Sequence, residues 1–479
     1  MSGAPARRAI VTAALGVAAA LALAAGCRDA DERAIPPPPP GVSPVAGIQD
    51  NRLGDPAIDP EPRMRRMAEL GAALVRVDLR WDRVATRRPA DPRRPGDAAY
   101  DWRQYDRVVR AANRHGVSVM MTIWGTPRWA ADRAVPVGGR FPSSAIRPRD
   151  SADVGRFAAA AARRYGPRGV RLWEAWNEPN LPLFLRPQYA PRDGGWTAVS
   201  PRHYSLILRS VYREIHRVQP SARVGGAVTA PVGDRCPQSC PDDPDDRVTP
   251  AAFLEALSEP GNRPPMDAVS HHPYPLSPPR ESTPARASYI DLYALDRLRD
   301  VLDAGYLRDR PVWLSEVGFA TAPTPEYPLS FGEAEQARLL SDAYRRVRAA
   351  PGVELVSWYL LQDDPAWRSG LLRRDGSAKP SAAAFSLPAA PTRWAPLPPG
   401  DPVRVVGQVR AARPSAGAVT LERREGGRWA PAATAVPGPD GSFAAVVRPR
   451  STGRYRAVWR ARAGGAVRVG NPFRVAVSA

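Results

Sequence analysis

Short apolar runs rich in β-branched residues alternate with longer segments of helical periodicity from about Val45 to Leu387. This alternation is typical of βα units around a parallel sheet. Eight runs have the character of buried strands: 45–49, 74–79, 118–123, 170–176, 223–228, 268–271, 312–315 and 354–359. Helical patterns cover 62–70, 102–115, 151–165, 201–218, 250–257, 290–304, 332–349 and 381–385. The pattern therefore predicts a (β/α)8 TIM barrel over residues 45–390.

A doubly wound sheet is the alternative architecture. Such a sheet is expected to carry a glycine-rich phosphate-binding loop after its first strand, and residues 49–54, Gln-Asp-Asn-Arg-Leu-Gly, do not form one. Ser200 and Thr249 each precede a proline, which predicts an N-cap followed by proline in the first helical turn. The helix starts thus agree with the barrel.

The pattern changes from residue 399 onward. Strand-like runs follow at 403–409, 419–423, 443–447, 455–459 and 473–477, separated by Gly-Gly and Asp-Gly turns. We predict a small all-β sandwich over 399–479. It resembles immunoglobulin-like or fibronectin-like domains at the level of pattern.

Composition excludes a disordered chain, since 43% of the 479 residues are hydrophobic and 24% are charged. The net charge is +20, and the excess is arginine, because Lys379 is the only lysine. A uniform arginine bias favours a solvated basic surface and no nucleic-acid partner. Attraction to anionic glycans or lipid headgroups stays open.

Residues 1–27 have the order of a secretory signal peptide. Arg7 and Arg8 precede an apolar run over 10–25, which is shorter than the roughly 20 residues of a membrane span. The final Ala-Ala-Gly-Cys resembles the lipobox of bacterial lipoproteins, although Ala24 stands where that motif usually has leucine. The resemblance implies lipidation of Cys27.

Residues 28–44 contain five consecutive prolines and predict an extended linker. We therefore expect an exported protein that is either held at the outer face of the cell membrane through Cys27 or secreted. Export implies an oxidising compartment, so Cys236 and Cys240 are free to form a disulfide within one loop. Their spacing could also suit a metal, but the chain has five histidines, no H-E-x-x-H and no second cysteine pair. We predict the disulfide and no metal.

Polar residues at the carboxyl ends of the predicted strands are the candidates for chemistry, because barrel active sites are built there. Strand four ends in Trp-Glu-Ala-Trp-Asn-Glu-Pro-Asn, which contains Glu178. Strand seven ends in Val-Trp-Leu-Ser-Glu-Val-Gly-Phe, which contains Glu316. Closure of the barrel lets these carboxylates face each other across its mouth. Cleavage of a glycosidic bond needs such a pair, one protonated and one ionised.

With these motifs, residues 45–387 resemble the clan A glycoside hydrolases. The resemblance implies a general acid/base at Glu178 and a nucleophile at Glu316. It also implies an arginine near the nucleophile at Arg76 and sugar-site residues at His272 and Tyr274. Segment 370–380 resembles the closing stretch of family 5 and family 39 members.

Further binding residues are expected at the mouth. Trp358 ends strand eight, where the clan has an aromatic platform, and the Trp124 to Trp129 loop resembles one that brings aromatic rings to a sugar in family 39-like enzymes. Asn177 is expected to bond the sugar 2-hydroxyl. Core packing is the alternative for each tryptophan.

Two residues rival those chosen. Glu174 is the second carboxylate of strand four and is expected to be a satisfied barrel residue, because it lies deeper and lacks the adjacent asparagine. His271 competes with His272, which the His-x-Tyr spacing favours.

The resulting hypothesis is a retaining hydrolase for O-glycosidic bonds, with β linkages favoured, acting on an extracellular poly- or oligosaccharide without a cofactor. Two alternatives stay open: a glycan-binding surface lipoprotein without catalysis, and a transglycosylase for cell-surface glycans. The sequence leaves the sugar, the linkage and endo or exo action open.

Overall fold

The computed structural model describes residues 43–137, 141–192, 194–233, 246–279, 288–324, 328–462 and 464–478. The predicted signal peptide with Cys27, nearly all of the linker, and the predicted disulfide between Cys236 and Cys240 lie outside the described residues. Within those ranges, no helix combines the length and the apolar character that a bilayer crossing requires.

Eight parallel strands form a closed barrel, which confirms the predicted architecture. Each strand pairs with the next along the chain, and the last pairs with the first. The strands are β1 (Val45–Gln49), β2 (Leu74–Arg80), β3 (Ser118–Trp124), β4 (Leu172–Ala175), β5 (Arg223–Thr229), β6 (Ala268–His271), β7 (Val312–Val317) and β8 (Val353–Tyr359).

Eight helices follow these strands around the barrel. They are α1 (Pro60–Leu70), α2 (Arg103–Arg114), α3 (Ser151–Tyr165), α4 (Ser200–Val218), α5 (Pro250–Ser258), α6 (Leu295–Asp303), α7 (Glu333–Ala349) and α8 (Pro380–Ser386). Helix α6 begins later than predicted from residue 290. The carboxylate of Asp291 accepts a hydrogen bond from the amide of Tyr293, and this local bond competes with helix formation.

The two predicted N-caps differ in outcome. Thr249 caps α5, since its hydroxyl accepts the amide of Ala252 at 3.2 Å. Ser200 lies inside α4 and makes no cap bond, so that prediction was wrong. Its hydroxyl instead donates to the side chain of Gln188 at 2.9 Å and ties the helix to the preceding loop.

Alternation along the strands separates two environments. Ile48, Val75 and Trp173 belong to the hydrophobic core that the strands share with the helices. Their neighbours Arg76 and Glu174 point the other way, into the barrel, and are fully buried. A buried charge is tolerated when it is paired, so the charged side chains inside the barrel must pair with and hydrogen-bond to one another.

Residues after the barrel form antiparallel sheets, as the turn pattern predicted. The strands are β9 (Ala389–Pro391), β10 (Val403–Gln408), β11 (Gly417–Glu425), β12 (Arg428–Ala435), β13 (Ser442–Val447), β14 (Gly453–Ala461), β15 (Val467–Val469) and β16 (Phe473–Val475). One sheet has the order β9-β10-β13, and the other has β12-β11-β14-β15 with β16 also paired to β14. Both sheets contribute to one hydrophobic core. The immunoglobulin-like or fibronectin-like identity stays a prediction.

Strand β9 begins before residue 399, where the β domain was predicted to start, and β12 was missed because its largely exposed sequence lacks apolar alternation. The β domain contacts barrel helices. The Nη1 of Arg410 donates to the carbonyl of Phe385 at 2.9 Å, and Trp394 Nε1 donates to Asp342 of α7 at 2.9 Å.

Candidate active site

Glu178 and Glu316 meet at the mouth of the barrel, although 138 positions separate them in the numbering. Glu178 follows β4 and Glu316 lies on β7, two elements on opposite sides of the closed sheet. One carboxylate oxygen of each, together with a ring nitrogen of His272, all lie within 4.8 Å of one another. Their side chains are 13% and 9% exposed. The barrel thus places two nearly buried carboxyl groups side by side.

Arg76 on β2 lies inside the barrel and donates hydrogen bonds to several residues of this site. Its Nη1 donates to Glu316 Oε1 at 2.5 Å, its Nη2 donates to Asn177 Oδ1 at 2.9 Å, and its Nε donates to Glu174 Oε2 at 2.6 Å. A planar guanidinium fixes several acceptors at set angles, which an ammonium cannot do. Burial lowers the pKa of Arg76, but Glu174 and Glu316 more than offset that effect, so its pKa is above the ordinary value.

Each candidate carboxyl group also has a partner of its own. The phenol of Tyr274 donates to Glu316 Oε2 at 2.7 Å. His272 Nδ1 lies 2.9 Å from Glu178 Oε1, and its Nε2 lies 3.1 Å from the hydroxyl of Ser315. Glu316 therefore receives donors on both oxygens, and Glu178 contacts one imidazole.

Both carboxyl groups bind protons more tightly than a solvated glutamate, and the neighbours that oppose this effect differ. Burial raises the pKa of Glu178 to about 7, while Arg76 acts in the opposite direction. Burial also raises the pKa of Glu316, but His272 and Arg76 both lower it. Burial lowers the pKa of His272 to about 4, so the imidazole is neutral at pH 7. A pKa of about 7 leaves Glu178 protonated in a substantial fraction of the molecules at neutral pH.

The backbone before Glu178 is strained. Trp176 has φ of 73° and Glu178 has φ of 38°, both in the left-handed region that favours glycine. Strain of roughly 1–3 kcal/mol per residue persists only when packing enforces it, and it concentrates at functional sites. The Nε1 of Trp176 donates to the carbonyl of Phe184 at 2.8 Å and helps to hold the turn.

A cavity of about 1080 Å³ opens over the pair. The lining side chains that matter below are Asn51, Asp78, Arg80, Trp124, Asn177, Glu178, Tyr274, Glu316, Tyr359 and Trp367. In the part of the chain that the structure describes, its charged lining comprises three arginines and four carboxyl groups, so the arginine excess is not concentrated in this part of the lining. Among the described residues, the β domain contributes nothing to this lining.

Two predicted aromatic contacts are absent from the cavity. Trp358 is 3% exposed, packs on Phe319 at a ring distance of 6.0 Å, and belongs to the core between strands and helices. Trp129 packs edge-on against Trp81 at 5.5 Å and donates to the carbonyl of Ala85. Both predictions as sugar platforms were wrong, and core packing explains both residues.

Trp124 does line the cavity, as predicted, but its ring is already covered. The guanidinium of Arg80 lies 4.0 Å above the ring, and Phe184 packs edge-on at 5.2 Å. Cation–π attraction holds Arg80 in that place. Trp124 therefore shapes a wall of the cavity and leaves little free face for stacking.

Arg76 and His272 were predicted among substrate-binding residues. Both are fully buried and neither lines the cavity, so they orient the carboxyl groups from beneath. Asn177 and Tyr274 do line it. Because Arg76 engages the amide oxygen of Asn177, its amide nitrogen is the group left to donate into the cavity.

The rival residues take structural places. Glu174 is fully buried. Its Oε2 accepts hydrogen bonds from the Nε of Arg76 and, at 2.8 Å, from the hydroxyl of Thr122. His271 is held between the hydroxyl of Thr229 and the carbonyl of Ile290, each at 2.8 Å. These bonds give Glu174 and His271 structural roles, and the roles of Glu178 and His272 stay a prediction.

Sequence reasoning missed Tyr359, Trp367, Asn51 and Asp78. Tyr359 adjoins Trp358 and pairs in register with Gln49, an interior residue, so strand parity could have pointed to it. Trp367 packs edge-on against Tyr274 at 5.6 Å and against Tyr359 at 5.9 Å. Its loop position carries no periodic signal.

Glu178, His272 and Glu316 have the spacing of a three-ligand cation site. The donor set fits a metal poorly, because the guanidinium of Arg76 already neutralises Glu316 and Tyr274 holds its other oxygen. A divalent cation would have to displace both bonds. We assign no metal chemistry to these residues.

No family model matches the chain, and no curated protein matches it. Solved structures that resemble it include the catalytic domain of GH30 xylanase C from Talaromyces cellulolyticus, with 10% identity and a TM-score of 0.46, covering 86% of this chain and 96% of that one. The β-D-mannosidase from Dictyoglomus thermophilum has 12% identity and a TM-score of 0.46, covering 90% and 51%. An engineered protein has 13% identity and a TM-score of 0.36. Likeness at this level leaves the function to be argued from the site.

Proposed function

We propose that the protein is a retaining glycoside hydrolase that cleaves an extracellular poly- or oligosaccharide. The observation that carries the proposal is the pair Glu178 and Glu316, with carboxylate oxygens within 4.8 Å in unlike surroundings. Carboxyl groups roughly 5–5.5 Å apart suit direct attack on the sugar, whereas inverting enzymes need roughly 6.5–9.5 Å to admit a water molecule. An approach of single oxygen atoms to within 4.8 Å favours the shorter separation of the groups and therefore retention.

The roles follow from the hydrogen-bond partners of the two carboxyl groups. Glu316, fixed by Arg76 and Tyr274, attacks the anomeric carbon as a carboxylate while Glu178 gives its proton to the leaving oxygen. The glycosyl ester that forms neutralises Glu316, so the pKa of Glu178 falls and it can accept a proton from water. The attack of that water releases the sugar and restores both groups. The amide of Asn177 donates to the sugar hydroxyl beside the reacting carbon.

Export and a lipid anchor at Cys27 are part of the proposal and rest on residues 1–27 alone. An extracellular site gives the enzyme access to polymers that do not enter cells. Added acceptor sugars separate hydrolysis from transglycosylation, because a transglycosylase makes longer products in their presence.

The pH dependence of kcat/KM on 4-nitrophenyl β-glycosides tests the assignment of Glu178. The acid form of Glu178 is required and its pKa is about 7, so kcat/KM should fall above pH 7, by about tenfold per pH unit well above the pKa. Because burial also raises the pKa of Glu316, which must be ionised, activity should decline on the acid side above the ordinary carboxyl range.

Glu178→Gln should lose the alkaline decline on a 2,4-dinitrophenyl glycoside, whose leaving group needs no proton. An unchanged alkaline limb in this variant would show that another group titrates. If the wild type binds oligosaccharides but cleaves none of the glycosides, the non-catalytic glycan-binding alternative replaces the hydrolase.

A further inference from the structure

Strand β2 carries a third acidic side chain into the site. Residues 76, 78 and 80 share one face of the strand, since side chains alternate. Arg76 lies deepest, Asp78 stands one step closer to the mouth, and Arg80 reaches the rim over Trp124. Asp78 therefore lies between the buried network and the open cavity, which it lines.

The carboxylate of Asp78 is poorly satisfied by the protein. The amide of Gln49 approaches Oδ1 at 3.5 Å, and the Nη1 of Arg76 lies 3.8 Å away, beyond hydrogen-bond distance. Within the described ranges these are its side chain's polar contacts, and the side chain is only 20% exposed. A largely buried carboxylate without close donors loses hydration free energy that the protein does not replace. Hydrogen bonds from ligand hydroxyls would replace it. The remaining acceptor capacity faces the cavity.

Asp78 is also near the nucleophile. The same Nη1 of Arg76 lies 2.5 Å from Glu316 Oε1 and 3.8 Å from Asp78 Oδ1, so one nitrogen atom separates the two carboxylates. A sugar ring whose anomeric carbon meets Glu316 would place its more distant ring hydroxyls beside Asp78. Asn177 accepts a hydrogen bond from the Nη2 of Arg76. It is then the residue placed to bond the hydroxyl adjacent to the anomeric carbon.

The groups around Asp78 complete a sugar-shaped environment. Asn51 Nδ2 donates to the phenol oxygen of Tyr359 at 2.6 Å, which leaves the phenol proton to donate elsewhere. Tyr359 and Trp367 add an aromatic wall on the same side of the cavity. Acceptors, one donor and an apolar wall together suit a ring that carries hydroxyls on its edge and C–H bonds on its face.

The geometry points to Asp78 as a specificity residue that accepts hydrogen bonds from two adjacent ring hydroxyls of the sugar bound at Glu316, away from the bond that is cleaved. This inference rests on the proposed hydrolase function and adds the chemical feature that the substrate must carry, a free vicinal diol on that ring. Sugars that are substituted or deoxygenated at either hydroxyl are then poor substrates.

The test compares wild type with Asp78→Ala and the isosteric Asp78→Asn on 4-nitrophenyl glycosides and on the matching monodeoxy glycosides. Loss of hydrogen bonds to a charged acceptor should lower kcat/KM of Asp78→Ala on the fully hydroxylated substrate by roughly 100-fold. On each monodeoxy substrate the difference between the variant and wild type should shrink to roughly 10-fold, because one of the two hydrogen bonds is already absent. Asp101→Asn, an exposed carboxylate whose partner is Arg103, is the matched control.

An equal loss on every substrate, hydroxylated or deoxy, would overturn the role of Asp78 as a hydroxyl acceptor. Thermal unfolding of both variants shows whether the fold is retained, and Asp78→Asn serves if the alanine variant fails to fold. If wild type cleaves no glycoside, calorimetric binding of the parent oligosaccharides distinguishes the two proposals. Binding that depends on Asp78 would sustain the subsite and refute only the hydrolase, whereas absence of binding would refute both.

Discussion

Replacing Glu316 with alanine should lower kcat on a 2,4-dinitrophenyl glycoside by a factor on the order of 10⁴ or more, since the attacking atom of the first step is removed. Arg76 and Tyr274 would then face an empty position instead of a carboxylate. Steady-state kinetics measures the loss. Glu335→Ala, which removes an exposed carboxylate on α7 that pairs with Arg338, is the control and should keep wild-type rates.

Azide separates the two catalytic roles. In Glu316→Ala, azide can occupy the vacated space and attack the anomeric carbon directly, so the glycosyl azide should have the opposite anomeric configuration to the substrate. In Glu178→Ala, Glu316 still attacks first and azide then displaces it, so the glycosyl azide should keep the substrate's configuration. Proton NMR of the products distinguishes the two. The same configuration from both variants would contradict the assigned roles.

Replacing Lys379 with methionine should destabilise the protein by roughly 3–5 kcal/mol, because it leaves a buried carboxylate without its counterion. The Nζ of Lys379 donates to Asp363 at 2.8 Å and to the hydroxyl of Thr321 at 2.9 Å. The side chains of Lys379 and Asp363 are 1% and 7% exposed. Burial lowers the pKa of Lys379 and raises the pKa of Asp363, so burial disfavours both charged forms. Each charge is stabilised by the partner of opposite sign. Denaturant unfolding measures the change.

The double variant Lys379→Met with Asp363→Asn should recover most of the lost stability, since no unpaired charge remains and an acceptor for the Gly370 amide is kept. Arg373→Met removes an exposed pair with Glu333 and should cost much less stability than Lys379→Met. A loss below about 1 kcal/mol for Lys379→Met would mean that water reaches Asp363 once the lysine is absent. The pair also ties down the loop that carries Trp367, because Lys379 Nζ donates to the carbonyl of Arg368 as well.

The predicted barrel followed from short-range information. Apolar runs long enough for one buried strand, each followed by a helical pattern, admit few topologies, since parallel neighbours need a crossover. The identity of the carboxyl pair followed for the same reason. Once Glu178 and Glu316 were placed at the ends of parallel strands, closure of the sheet brought them to one rim.

Side-chain direction was harder to predict. Trp358 was expected at the cavity, yet Tyr359 lies there, because a one-residue difference on a strand exchanges the interior for the helix-facing side. The eight strands were found, but the register that fixes which residues face inward was not. Arg76 and His272 lie at the strands where they were expected, but both are buried beneath the lining of the cavity.

The sequence by itself thus determined the closed barrel, the following β domain and the two strand ends at which the proposed catalytic glutamates lie, because each depends on hydrophobic periodicity and chain order. The tertiary structure alone decided which side chains reach the cavity, how Arg76 joins Glu174, Asn177 and Glu316, and that no donor of the described residues lies closer than 3.5 Å to the Asp78 carboxylate. Those features depend on strand register and on loops without periodicity, and distances between residues far apart in the chain are set only when the sheet closes.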